Sequence, residues 1–102
     1  FDRANAALGY DLASICFNGP EPDLTKTEHA QPGIFLVSWV AFELLKERLP
    51  SLSFHATAGL SLGEYTALVF AGVLTFAEAV WLIQQRGQAM QDACAASPGG
   101  MA

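Results

Sequence analysis

Positive charge is scarce in this chain: five Lys and Arg stand against ten Asp and Glu in 102 residues, giving a net charge of −5. With no basic cluster, the sequence argues against nucleic acid or an anionic membrane surface as its main partner. Long apolar runs are lacking as well. The best candidate, Ile34 to Leu45, is broken by Ser38 and Glu43 and falls short of the roughly 18 residues needed to cross a bilayer. No stretch reads as a signal peptide, so the expectation is a cytoplasmic protein without a membrane segment. Cysteine is limited to Cys16 and Cys94, which are far apart and show no CxxC spacing. Both are expected to be small buried apolar side chains, kept reduced as in the cytosol. There is no glycine-rich phosphate loop, no repeat and no Cys/His spacing for a metal, so neither a metal nor a resident cofactor is expected.

Apolar residues are abundant: 52% of the chain is hydrophobic and only 15% charged, which suits a globular protein with a dense core. Within it the pentapeptide Gly59-Leu60-Ser61-Leu62-Gly63 stands between an apolar run and a helical pattern. Leu52 to Ala58 is short, apolar-rich and follows Pro50, as a strand entering a packed sheet does. Glu64 to Ala71 continues without a breaker to Gly72, a plausible helix C-cap. Strand, sharp turn and helix are the setting of a nucleophile elbow, in which a strained backbone presents the serine and very small flanking residues avoid a clash. Both Gly59 and Gly63 are expected to meet that need. Ser61 is then the nucleophile of an acyl transfer, and the N–H of Leu62 at the opening helix is the first oxyanion donor. Glu64 reads equally well as a helix-start acid and as a catalytic one.

The remaining pattern is helical. Phe1 to Leu8, closed by Gly9, reads as a helix, Asp11 to Phe17 is ambiguous, Asn18 to Pro22 is a turn or loop, and Leu24 to His29 suits a short helix. From Gln31-Pro32 to Pro50 a long amphipathic helix is expected, with Ile34, Val37, Ala41, Leu44, Leu45 and Leu49 as its buried stripe. Thr75 and Glu78 form a capping box for a last helix. Its apolar stripe is Phe76, Ala79, Val80, Ile83, Gly87, Met90 and Cys94, and Pro98-Gly99-Gly100 follows as a turn. Arg86 lies on neither face. At about 100° per residue it sits roughly 60° from the stripe's centre, where a guanidinium either snorkels outward or holds an anion. With one convincing strand, which cannot satisfy its own backbone, the chain reads as a piece of a larger domain cut at both ends.

Gly59 to Val69, with Ala71-Gly72-Val73-Leu74 after it, resembles the nucleophile segment of malonyl-CoA:acyl carrier protein transacylases. Ala6 to Leu12, Gln31-Pro32, Arg86 to Gln91 and Gly100-Met101-Ala102 match the same family's pattern in order, so the resemblance covers nearly the whole chain. It implies an α/β fold, namely the hydrolase-like large subdomain of an acyltransferase. Residues 1–102 would be a partial domain truncated at both ends, with the ferredoxin-like small subdomain missing.

It also implies roles. Ser61 takes a malonyl group from malonyl-CoA and passes it to the phosphopantetheine thiol of acyl carrier protein, in fatty acid biosynthesis. Arg86 holds the malonyl carboxylate, and Gln31 has a supporting role or is a helix-start polar residue. Leu60 stands where the family commonly has histidine and is expected to tune the pocket. The family's general-base histidine and its second oxyanion donor fall outside this chain, so the piece alone should not turn over. His55, six strand residues from Ser61 and so about 20 Å away, cannot substitute. His29 reads as structural or solvated.

Three other readings stand beside this one. An acyltransferase domain of a polyketide or fatty acid synthase shares the elbow and the arginine. A serine esterase or thioesterase needs no carboxylate-binding arginine, so Arg86 argues against it. A non-catalytic module that binds carrier protein has no use for the intact elbow.

Overall fold

Glycines and capping side chains cut the chain into helices. The computed structural model describes residues 1–97, and among them the elements are α1 (Asp2–Leu8), α2 (Leu12–Asn18), α3 (Glu21–Leu24), α4 (Thr27–Arg48), α5 (Gly63–Phe70) and α6 (Phe76–Ala96). The expected turn at Pro98-Gly99-Gly100 and the match at Gly100-Met101-Ala102 lie outside the described residues. Gly9 ends α1 at φ +82°, and the Asp11 side chain starts α2 by accepting from the Ser14 N–H at 3.0 Å. Asn5 ties the two caps together. Its amide donates to Asp11 at 2.9 Å and accepts from the Ala13 N–H at 3.2 Å. The ambiguous stretch after Asp11 is therefore helical, while the loop expected at Asn18 to Pro22 is reduced to Gly19-Pro20, because Asn18 ends α2 and Glu21 and Pro22 open α3.

The long helix α4 begins at Thr27, before Pro32, and so absorbs part of the short helix expected at Leu24 to His29. A proline inside a helix leaves the carbonyl four residues earlier without its N–H partner. That carbonyl belongs to Glu28, and the Tyr10 hydroxyl donates to it at 3.5 Å. Burial, with smaller contributions from Glu28 and Cys16, pushes the Tyr10 hydroxyl above its ordinary pKa and keeps it protonated as a donor.

Helices α4 and α6 form the central pair, with α1 against α6, α2 against α4, and α5 touching both. Their core contains Leu12, Phe35, Leu36 and Ile83, all fully buried, with Ala79 and Val80 beside them. Phe76 packs at 4.6 Å from the Trp39 ring and 5.8 Å from Phe35, and the Arg3 guanidinium lies 4.8 Å over its face. The capping box of Thr75 and Glu78 is formed in both directions.

Three expectations are corrected. The buried face of α4 carries Gln31, Pro32, Gly33, Phe35 and Leu36, whereas Ile34, Val37, Leu44, Leu45 and Leu49 are 44–59% exposed. Because Ile34 to Val37 is apolar all round, periodicity cannot choose the face, and packing covers Phe35 and Leu36 while leaving Ile34 and Val37 exposed. The uncovered face accompanies an elongated shape, with a radius of gyration of 14.6 Å where about 13 Å is usual for this length.

Leu52 to Ala58 forms no strand, and no strand occurs among the described residues. A strand exists through its ladder, and this segment has no neighbouring strand; it is pinned instead by the Thr57 hydroxyl donating to the Ala67 carbonyl at 2.8 Å. Cys16 is half-buried, with its thiol pushed above its ordinary pKa by burial, but Cys94 is exposed, and so is Met90. The stripe of α6 is covered only as far as Gly87.

Ile83→Ala is expected to cost about 3 kcal/mol of stability, and Thr75→Ala about 1 kcal/mol through the lost cap. Urea-unfolding midpoints of the two variants against wild type check both values and their order.

Candidate active site

The turn between the extended segment and α5 places Ser61 at φ +56°, the one non-glycine residue with positive φ among those described. A side chain in this left-handed region costs about 1–2 kcal/mol, so the turn must be held from outside. N–H groups of Gly63, Glu64 and Tyr65 donate to the carbonyls of Leu60, Ser61 and Leu62 at 3.0–3.1 Å, which closes the elbow tightly. At its far end α5 closes with Gly72 at φ +81°, whose N–H bonds Val69 while that of Val73 bonds Leu68.

The two flanking glycines are not equivalent. A Cβ on Gly59 would stand 2.0 Å from the Gly63 carbonyl oxygen and 2.7 Å from the Glu64 nitrogen, contacts that no side chain survives. A Cβ on Gly63 meets nothing within 4 Å. The sequence-based expectation that both positions must be bare therefore holds for Gly59 and not for Gly63.

Ser61 faces α6. Arg86 Nη2 donates to Ser61 Oγ at 2.9 Å, and Arg86 Nη1 donates to the Gln31 amide oxygen. The Tyr65 ring, one turn along α5 from the serine, lies 5.7 Å from the guanidinium carbon. Four residues from three separate stretches thus converge. Arg86 is half-buried, and both of its hydrogen-bond partners are neutral side chains. Gln31 is only 6% exposed and sits on the first turns of α4, where its amide nitrogen donates to Thr27 Oγ1 at 2.7 Å and to Met90 Sδ at 3.2 Å.

Leu60 is 87% exposed at the mouth of an open groove of about 510 Å³ that runs past Ser61 between Ile34, Thr57, Leu62 and Phe70. The Leu62 N–H precedes α5 and donates to no acceptor among the described residues, so it is free for an incoming oxygen. Glu64 is exposed.

Neither histidine joins the site. The His29 ring nitrogen is paired with the Asp23 carbonyl at 2.7 Å and its ring packs 5.5 Å from Tyr10, while His55 is exposed and makes no polar contact with Ser61. Among the described residues no cluster of His, Cys, Asp and Glu could hold a metal ion, and no helix is long and apolar enough to cross a membrane. Tyr65 and Thr27 were not singled out from the sequence. Each stands four residues from a partner that was, Ser61 and Gln31 respectively, a spacing readable only once the helix starts are known.

The acyl transferase domain family matches residues 1–102. The chain belongs to the acyl transferase domain family. Similar proteins bearing this domain include the mouse malonyl-CoA-acyl carrier protein transacylase, mitochondrial, 43% identical over 103 residues, covering 99% of this chain and 27% of the mouse protein. The Bacillus subtilis malonyl CoA-acyl carrier protein transacylase is 46% identical, covering 100% of this chain and 25% of that protein. Among solved acyl transferases, a malonyl-transacylase in complex with its type II polyketide-synthase acyl-carrier protein superposes with a TM-score of 0.84 at 41% identity. It covers 91% of this chain and 30% of that one. An acyl carrier protein S-malonyltransferase from Vibrio cholerae gives 0.78 at 45% identity with the same coverage. The chain thus spans between a quarter and a third of the length of the relatives it matches.

The unequal glycines generate a test of the acyl transferase elbow. Gly59→Ala should lose about 2 kcal/mol or more through the clash with the backbone of α5, while Gly63→Ala should lie within about 0.5 kcal/mol of wild type. Thermal unfolding of the two variants side by side decides it, and equal losses would contradict the asymmetry.

Proposed function

We propose that the whole protein moves a malonyl group from malonyl-CoA to the phosphopantetheine thiol of acyl carrier protein through an ester on Ser61, in fatty acid biosynthesis. One observation carries this reading: a guanidinium stands at 2.9 Å from the hydroxyl of a serine held on a strained elbow. An esterase for neutral acyl groups gains nothing from a cation at that point. A malonyl ester on Ser61 ends in a carboxylate within reach of Arg86, which can keep Gln31 on one nitrogen and turn its remaining donors to the acid.

In the chemical step Ser61 Oγ bonds to the acyl carbon, the carbon–sulfur bond to coenzyme A breaks, and the thiol leaves with a proton. The tetrahedral oxyanion takes the Leu62 N–H, which has no other acceptor among the described residues. The carrier-protein thiol then reverses the sequence and frees Ser61. The proton of Ser61 goes to the histidine that the family resemblance implies outside residues 1–102, since neither His29 nor His55 contacts the serine.

The finer architecture belongs to this reading too: in the whole protein, Leu52 to Ala58 becomes a strand of an α/β hydrolase-like subdomain once it has neighbours. The compartment in the same reading is the cytoplasm, with the mouse relative's name showing an organellar setting for that protein. A second reading, a polyketide-synthase acyltransferase, is favoured by the solved relative bound to a type II polyketide-synthase carrier protein. Malonyl transfer to a fatty-acid carrier protein and to a polyketide carrier protein, measured side by side, distinguishes the two.

Brief exposure of the whole protein to malonyl-CoA should add one malonyl group in an intact-mass measurement, and Ser61→Ala should add none. Arg86→Ala should lower the preference for malonyl-CoA over acetyl-CoA by about tenfold or more, as loss of a charge-assisted pair does. No adduct on the folded native protein would refute the transferase reading.

A further inference from the structure

A side-chain amide is ambiguous about which end it presents, because a half-turn exchanges its acceptor oxygen for its donor nitrogen. Toward Arg86 only the oxygen is useful, since a guanidinium carries donors alone. The Gln31 amide must therefore be held one way round. Thr27 anchors it from one helical turn earlier on α4: its Oγ1 takes the Gln31 amide nitrogen at 2.7 Å, and Met90 Sδ at 3.2 Å, which can only accept, selects the nitrogen for that side. Gln31 is only 6% exposed and Thr27 is half-buried, and among the described residues no buried side-chain nitrogen or oxygen lacks a partner.

Thr27 is itself placed by the crossing of α4 and α6. A Cβ on Gly87 would lie 3.3 Å from the Thr27 carbonyl oxygen and 3.2 Å from Glu28 Cα. The first turn of α4 thus rests on the backbone of α6 immediately beside Arg86.

We propose that Thr27 is a positioning residue for acyl-group selection, its hydroxyl fixing the Gln31 amide so that Gln31 aims the Arg86 guanidinium at the carboxylate of the acyl group. The inference deepens the malonyl-transfer reading and rests on it. Thr27 makes no hydrogen bond to Ser61 or Arg86, so it acts through Gln31. Replacing its hydroxyl by a methyl group removes this anchor and loosens the amide oxygen to which Arg86 donates. An acyl group that binds Arg86 through its carboxylate feels this most, whereas acetyl transfer meets Arg86 only through its bond to Ser61.

The test compares the whole protein as wild type, Thr27→Val, Thr27→Ala, Thr27→Ser and Arg86→Ala, measuring kcat/KM for malonyl-CoA and acetyl-CoA. Thr27→Val and Thr27→Ala should each cut the malonyl-to-acetyl ratio about fivefold, the size of one lost hydrogen bond, with the acetyl value held within about twofold. Thr27→Ser, which keeps the hydroxyl, should retain the wild-type ratio. If Arg86→Ala collapses the ratio while both hydroxyl-free variants leave it unchanged, the role of Thr27 is overturned and the malonyl reading stands. A parallel fall for both substrates in the hydroxyl-free variants also overturns it, because that is the mark of a merely structural residue. If Arg86→Ala itself leaves the ratio unchanged, the malonyl reading fails and the inference goes with it.

Discussion

The site depends on how closely α4 and α6 approach. Gly87 lets the two helices meet backbone to backbone at the first turn of α4, and the residues on either side of that contact are the ones the site uses. Gln31 reaches Arg86 because nothing larger than hydrogen separates their helices one residue away. The core residues Phe35, Leu36, Ala79, Val80 and Ile83 then fix the same crossing along its length, so the packing that stabilises the pair also sets the reach of the arginine. A shift of a few tenths of an ångström here is felt as a changed direction of the guanidinium.

The elbow supplies the other half of the geometry, and its order is local. Three successive N–H groups close on Leu60, Ser61 and Leu62, Thr57 anchors the approach, and Gly59 gives the backbone room to pass under α5. Helix α5 touches both members of the central pair, so the serine is delivered to the arginine by a short rigid path. Nothing in this arrangement requires a charged group other than Arg86. That agrees with the proposed malonyl transfer, in which the acyl group brings the negative charge.

The parts written in short-range signals were legible in the sequence. The turn at Ser61, the capping box at Thr75 and the helix end at Gly9 each depend on residues within a few positions, and each appears in the structure. What was not legible depended on distant partners. The buried face of α4 was misassigned because Ile34 to Val37 is apolar on every side, and only the position of α6 decides which residues are covered. The segment at Leu52 to Ala58 has a strand's composition, but hydrogen-bond ladders come from neighbours that composition does not name. The start of α4 was placed late because Pro32 normally opens a helix; here it lies inside one, and the Tyr10 hydroxyl takes the carbonyl left without its usual partner. With the start misplaced, the spacing of Thr27 from Gln31 could not be read as one helical turn.

The left-handed backbone at Ser61 has a consequence for how this protein trades robustness against chemistry. A β-carbon at φ +56° is a standing cost that glycine does not incur. Glycine at this position would relieve that cost and remove the hydroxyl on which the proposed acyl transfer depends. Under that proposal, screening for heat resistance alone works against the serine, and stability has to be gained elsewhere in the chain.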